Sequence, residues 1–336
     1  MRLSSLTGLL SAALSILLSA APASAQNYPP PGTCLGNCYA RDPAFIKRSD
    51  GKYFRFTTRD LIGIQTATDI RGPWTSVGSV IQGRSIINLP GNTELWAPDI
   101  SRVGDLYYLF YAVSTLGSKT SAIGYATSPS MEPGTWTDRG AVLTSGPDSP
   151  YNAIDANLYH SADGRELHLQ WGSYWQGIYT QPLTISGTSV TLRAGTSPKN
   201  IAYLPAGNHP QEGAFVYLQN GAWWLFLSRG RAGQYGDDPA NFPVADAYKI
   251  FVCRGDSPTG PFFGKLGRSC LDGGGTEVLA TQGNIFAPGG QGVWQDDVHG
   301  DVLYYHYFNR NIGYGDGDER FGWNVLKWID GWPVAV

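Results

Sequence analysis

Short apolar and aromatic runs recur along the chain, each entered through a polar turn. Asp50-Gly51 leads into Lys52-Tyr53-Phe54-Arg55-Phe56, Gly104-Asp105 into Leu106-Tyr107-Tyr108-Leu109-Phe110, and Asp163-Gly164 into Arg165-Glu166-Leu167-His168-Leu169. Asn220-Gly221 leads into Ala222-Trp223-Trp224-Leu225-Phe226, and Gly300-Asp301 into Val302-Leu303-Tyr304-Tyr305-His306. Such turn dipeptides followed by β-forming residues predict five hairpins, and no segment carries a strong helical period. A second signal keeps the same rhythm: Gly72-Pro73-Trp74, Gly134-Thr135-Trp136 and Gly260-Pro261-Phe262 each close a segment. The first two glycines are 62 residues apart and the first and third 188 apart, about three periods. The closing motif due near residue 197 is missing, and the irregular stretch from Thr184 to Ser197 predicts a degenerate fourth blade or junction. All-β repeats of this length predict a five-bladed β-propeller. A β-sandwich with scattered acids would not explain the five-fold spacing.

Ahead of each hairpin lies one apolar strand with a polar residue near its start. These residues are Asp42, Asp99, Asp155, Glu212 and Gln291. In the run Tyr151-Asn152-Ala153-Ile154-Asp155-Ala156-Asn157-Leu158-Tyr159, the carboxylate breaks a sequence that alternation alone would keep apolar. A charge removed from water costs several kcal/mol unless paired, so such an acid marks a hydrogen-bond hub or a working site. As innermost blade strands, these five segments would bring distant residues to one axial funnel.

Composition narrows the chemistry. Residues 1–25 read as a secretory signal peptide: Arg2, an apolar core from Leu6 to Leu18, and Ala23-Ser24-Ala25 before the cut. The expectation is a secreted, extracellular protein whose residues 26–336 form a single domain, with Pro29-Pro30-Pro31-Gly32 as an extended lead-in. No basic run favours nucleic acid or anionic membrane as a partner. Many Trp and Tyr residues with few charges suit neutral, hydroxyl-rich ligands, which points toward carbohydrate. Four cysteines allow three pairings; Cys34–Cys38 and Cys253–Cys270, each bracketing a short Gly-containing segment, are favoured. No Asn-x-Ser/Thr sequon occurs.

Glycoside hydrolysis needs one carboxylic acid to protonate the leaving oxygen and one carboxylate to activate water or attack carbon, and a third nearby acid raises the proton donor's pKa. Two Asp and one Glu on three axial strands fit that division. The ordered set Tyr39-Ala40-Arg41-Asp42-Pro43, Glu94-Leu95-Trp96-Ala97-Pro98-Asp99, Tyr151-Asn152-Ala153-Ile154-Asp155, Gln211-Glu212-Gly213-Ala214 and Ala287-Pro288-Gly289-Gly290-Gln291-Gly292 resembles the family 43 glycoside hydrolases. Within that family it is most similar to the secreted fungal-type endo-1,5-α-L-arabinanases.

The resemblance implies an inverting five-bladed propeller that cuts internal α-1,5 bonds of arabinan, a pectin side chain. Asp42 would be the general base, Glu212 the general acid, and Asp155 the residue that raises the acid's pKa and orients substrate. Asp99 receives no catalytic role and reads as a hydrogen-bonded turn acid. Substrate contacts are implied at Trp96, Gly117, Asn152, Ala153, Ile154, Gly172, Ser173 and Tyr174. Relatives with a His in the fifth axial motif bind a metal ion, often calcium, in the channel. Gln291 is a poorer ligand, so no cofactor is required and a channel calcium is left open; His306 nearby reads as a hydrogen-bonded inner-blade residue. The expected state is a monomer. Alternatives are an exo-acting α-L-arabinofuranosidase or β-xylosidase of the same fold, and a catalytically silent sugar-binding propeller.

Overall fold

The computed structural model describes residues 28–336; the signal peptide expected at residues 1–25 lies outside them. Five antiparallel sheets follow one another along the chain. The first holds β1 (Ala44–Lys47), β2 (Tyr53–Thr57), β3 (Gly63–Ala67) and β4 (Thr75–Ser79), and the second β5 (Trp96–Val103), β6 (Leu106–Val113), β7 (Ser121–Ser128) and β8 (Thr137–Ser145). In the third are β9 (Asn157–His160), β10 (Leu167–Trp171), β11 (Ile178–Ser186), β12 (Ser189–Leu192) and β13 (Lys199–Ala202). The fourth comprises β14 (Gln211–Gln219), β15 (Ala222–Arg229), β16 (Lys249–Gly255) and β17 (Thr276–Leu279), and the fifth β18 (Ile285–Asp296), β19 (Gly300–Asn309), β20 (Glu319–Ile329) and β21 (Trp332–Ala335). Helical structure among the described residues is limited to two single 3₁₀ turns, Pro239–Asn241 and Cys270–Asp272. The first strands touch in a closed cycle, β1 to β5 to β9 to β14 to β18 and back to β1. This ring defines a five-bladed propeller, and every predicted hairpin supplies the second strand of a blade.

The near-continuous aromatic strands arise because both faces of a blade are buried. Along β6, Tyr107, Leu109 and Tyr111 pack with Phe54, Phe56 and Ile64 of the first blade. The alternate residues, Tyr108 and Phe110, pack with Leu158, Leu169 and Trp171 of the third. Likewise Trp223 and Leu225 of β15 face the third blade, while Trp224 and Phe226 face the fifth. Period-2 alternation therefore sorts side chains between two neighbouring blades rather than between core and solvent, and each fully buried side chain of this kind contributes about 1.5–3 kcal/mol.

The irregularity falls on the third blade, not the fourth. β11 is nine residues long, enough for two outer partners: Leu183–Ser186 pair with β12 and Ile178–Thr180 with β13. Thr184 to Ser197 is thus mostly an ordered hairpin and turn that splits the blade's outer edge in two, which removes the need for a closing Gly-x-aromatic motif.

Ring closure uses the lead-in segment. Gly32 donates its N–H to the Trp323 carbonyl (2.7 Å), Tyr39 pairs with Arg320 of β20, and Gly36 pairs with Trp74 at the start of β4. Only glycine fits at 32, since a Cβ would fall 2.2 Å from the Trp323 ring. The segment stitches the last blade to the first, held by the predicted Cys34–Cys38 bridge. Cys253–Cys270, also as predicted, ties β16 to the second 3₁₀ turn.

Candidate active site

Each blade's inner strand is entered through a residue in the left-handed region: Asp42 (φ 44°), Ala97 (39°), Asp155 (57°), Gly213 (56°) and Ala287 (52°). Proline follows at 43, 98 and 288, locking the kink. The conformation is costly for residues with a Cβ, and Asp tolerates it better than most because its side chain bonds locally. Two of the candidate acids occupy the kink itself, and Glu212 immediately precedes it. One device repeated around the ring therefore delivers all three to the same place.

That place is the floor of a groove of about 2300 Å³ across the mouth of the ring. Asp42, Asp155 and Glu212 line it, together with Trp96, Gly117, Asn152, Ile154, Ser173 and Tyr174. Two expected substrate contacts do not reach it. Ala153 is buried in the packing between the second and third blades, its N–H held by Ser145 Oγ at 2.9 Å. Gly172 is buried with φ 126°, and a Cβ there would meet the Gly177 carbonyl at 2.3 Å; it permits a close backbone approach and touches no groove surface.

Asp42 is 24% exposed and held from two sides. Its Oδ2 accepts the Thr58 hydroxyl at 2.9 Å, and Thr58 Oγ1 in turn accepts the Ala97 N–H at 2.8 Å, which aims the hydroxyl proton at the carboxylate. Its own N–H donates to Nδ1 of His306 at 3.1 Å. His306 is buried, burial pushes its pKa down, and as a neutral acceptor at Nδ1 it carries its proton on Nε2. The expectation of a hydrogen-bonded inner-blade histidine is met, with the backbone of Asp42 as partner.

Glu212 accepts from Ser173 Oγ (2.6 Å) on Oε2 and from Tyr248 Oη (3.2 Å) on Oε1. Burial raises its pKa; the Ser173 hydrogen bond opposes this, and the charge on Asp42 adds to the rise. Asp155 accepts the Gly213 N–H at 3.0 Å. Burial lifts it well above the usual carboxylate range, with Glu212 and Asp42 adding to the effect. Like charges in one desolvated pocket resist joint ionisation, which favours the protonated form of both carboxyls.

Asp99 and Gln291 serve the ring. Asp99 is 6% exposed and accepts from Asn157 Nδ2 (3.0 Å) and the Leu158 N–H (2.8 Å), joining blades two and three; burial raises it to about 6. Asn157 Oδ1 accepts the Val216 N–H at 2.9 Å, continuing to blade four. Gln291 donates from Nε2 to the Gly213 carbonyl and accepts from Ser228 Oγ on Oε1, both at 2.6 Å, joining blades five and four. Its amide is thus committed. Calcium takes six to eight oxygen ligands, and among the described residues no three His, Cys, Asp or Glu are grouped to hold a metal ion. No step below passes through a metal.

Thr58 and Tyr248 are contacts that sequence reasoning missed. Thr58 lies just after β2 and Tyr248 just before β16, neither in a motif, and they sit 16 and 36 residues from the acids they touch.

A propeller that gathers three carboxyl groups, two of them with protonation favoured by burial, in one aromatic-lined groove fits the needs of a two-carboxylate glycoside hydrolase. The chain belongs to Glycosyl hydrolases family 43, whose sequence pattern matches residues 36–333. It is 49% identical over 313 residues to the probable arabinan endo-1,5-α-L-arabinosidase A of Aspergillus clavatus, covering 93% of this chain and 95% of that one. Similarity to the arabinan endo-1,5-α-L-arabinosidase C of Emericella nidulans is 48% over 314 residues, covering 92% and 96%. Among solved structures, an exo-1,5-α-L-arabinanase from a bovine ruminal metagenomic library superposes with a TM-score of 0.76 at 28% identity, covering 89% of this chain and 97% of that one.

Proposed function

We propose that this protein hydrolyses internal α-1,5-L-arabinofuranosidic bonds of arabinan with inversion, Asp42 acting as general base and Glu212 as general acid. The observation that carries this reading is the meeting of the three acids in one groove, in a chain 48–49% identical to proteins named endo-acting arabinosidases. Water bound against the Asp42 carboxylate gives up a proton and attacks the anomeric carbon. The bond from that carbon to O5 of the neighbouring sugar breaks on the opposite face, and Glu212 passes its proton to the departing oxygen. Ser173 and Tyr248 keep the Glu212 carboxyl in one orientation, while Asp155 raises the acid's pKa and faces the substrate. Trp96, Gly117, Asn152, Ile154 and Tyr174 would bind arabinose residues along the groove. Two disulfides suit an enzyme secreted into an oxidising compartment, where it would act as a monomer.

The likeness to an exo-acting structure makes the position of cleavage the point to test. Chromatography of early products from linear 1,5-arabinan, run beside xylan and an aryl arabinofuranoside, is expected to give a ladder of arabino-oligosaccharides. Free arabinose as the sole early product would move the assignment to an exo-acting relative, and products from xylan alone to a xylosidase.

A further inference from the structure

Beside the three acids stands a cation that the reaction scheme does not use. Arg41 precedes Asp42 and lines the groove, its Nε 3.9 Å from Asp42 Oδ2. Its Nη1 donates at 2.6 Å to Oε1 of Glu319, the first residue of β20 on the last blade. Glu319 is 0% exposed, and its other oxygen accepts the Gly317 N–H at 2.8 Å. A fully desolvated carboxylate is thus spent on fixing one arginine across the seam between first and last blades. Desolvation makes such a pair a weak source of stability, whereas a charge within a few ångströms of carboxyls that must differ in protonation acts directly on them.

We infer that Arg41 and Glu319 are positioning residues that set the charge balance of the acid cluster. Arg41 places a positive charge against the Asp42 carboxylate, beside Asp155 and Glu212, and Glu319 offsets that charge. The inference rests on the assignment of Asp42 and Glu212 as base and acid. Arg231 also lines the groove and is unchanged in every variant below. On the lead-in segment Tyr39 is pushed up by burial and stays neutral, and Arg59, just after β2, is engaged with Asp316 at 2.8 Å. Tyr235, from the loop between β15 and β16, is also pushed up by burial, and His306 of β19 is pushed down; both are uncharged.

The two partners should act with opposite sign. Removing the cation in Arg41→Gln raises the neighbouring carboxyl pKa values, so both limbs of the pH profile of kcat/KM move to higher pH. Glu319→Gln keeps a hydrogen-bond acceptor for Arg41 but leaves its charge uncompensated, so both limbs move to lower pH. A displacement of about one pH unit is expected for Arg41→Gln, the lower end of what a charge a few ångströms away produces, and a smaller one of opposite sign for Glu319→Gln, whose carboxylate is bonded to the arginine. Arg41→Lys retains the charge and should keep the wild-type limbs even where its rate falls. The test is the profile of all four proteins on linear arabinan, with melting temperatures measured in parallel. Limbs that stay in place or move together in one direction, with only rate and melting temperature reduced, would overturn the inference. If Glu319→Gln is recovered unfolded, the upward displacement of Arg41→Gln decides. Full activity in Glu212→Gln would instead sink the underlying acid–base assignment, whatever the limbs do.

Discussion

Glu212→Gln is expected to lower kcat on linear arabinan by about 10²–10⁴-fold, the span that general acid catalysis supplies, equivalent to ~3–5.5 kcal/mol of barrier. The fold should survive, because a glutamine can accept from Tyr248 and donate to Ser173, leaving both hydroxyls satisfied. Binding of arabino-oligosaccharides, read by calorimetry, should therefore persist. The loss should also depend on the leaving group: an aryl arabinofuranoside carrying an acidic phenol needs no proton from the enzyme and should recover most of the wild-type rate. Joint loss of binding and of the folded state would make Glu212 a structural residue.

Asp42→Asn is expected to cost a similar 10²–10⁴-fold but with no recovery on the activated aryl substrate, since water activation is required whatever leaves. Asparagine can still accept from the Thr58 hydroxyl, and the backbone N–H bonded to His306 is untouched, so the deficit should appear in kcat rather than in melting temperature. Steady-state kinetics on the two substrates separates the variants: leaving-group dependence for Glu212→Gln and none for Asp42→Asn. A reversed pattern would exchange the two roles.

Much of the architecture was legible because blade packing leaves a dense signal. Both faces of Leu106–Val113 and Ala222–Arg229 are buried, so these strands read as continuous aromatic runs behind Gly-containing turns, and their spacing counts the blades. The acids were legible because a carboxylate in an apolar strand has no structural reason to be there unless it is held, as Asp99 is, or used. Less could be read where the determinant is a distant contact. The Gly32–Trp323 seam and the Arg41–Glu319 pair join residues near opposite ends of the chain, and nothing local announces either. Ala153 and Gly172 were misplaced because neighbours of groove residues alternate in direction, one turned to the groove and the next into the blade interface. The doubled edge of the third blade was hidden by the length of β11, which two short partners share.

The most direct test of the account is the anomeric configuration of the first product, followed by proton NMR during cleavage of an arabino-oligosaccharide and before mutarotation. Water activated by Asp42 and a leaving oxygen protonated by Glu212 on the other face require the new reducing end to appear first as the β-anomer, with the α-anomer growing in later. Initial release of the α-anomer would mean retention through a covalent intermediate, and would contradict Asp42 as a base acting on water.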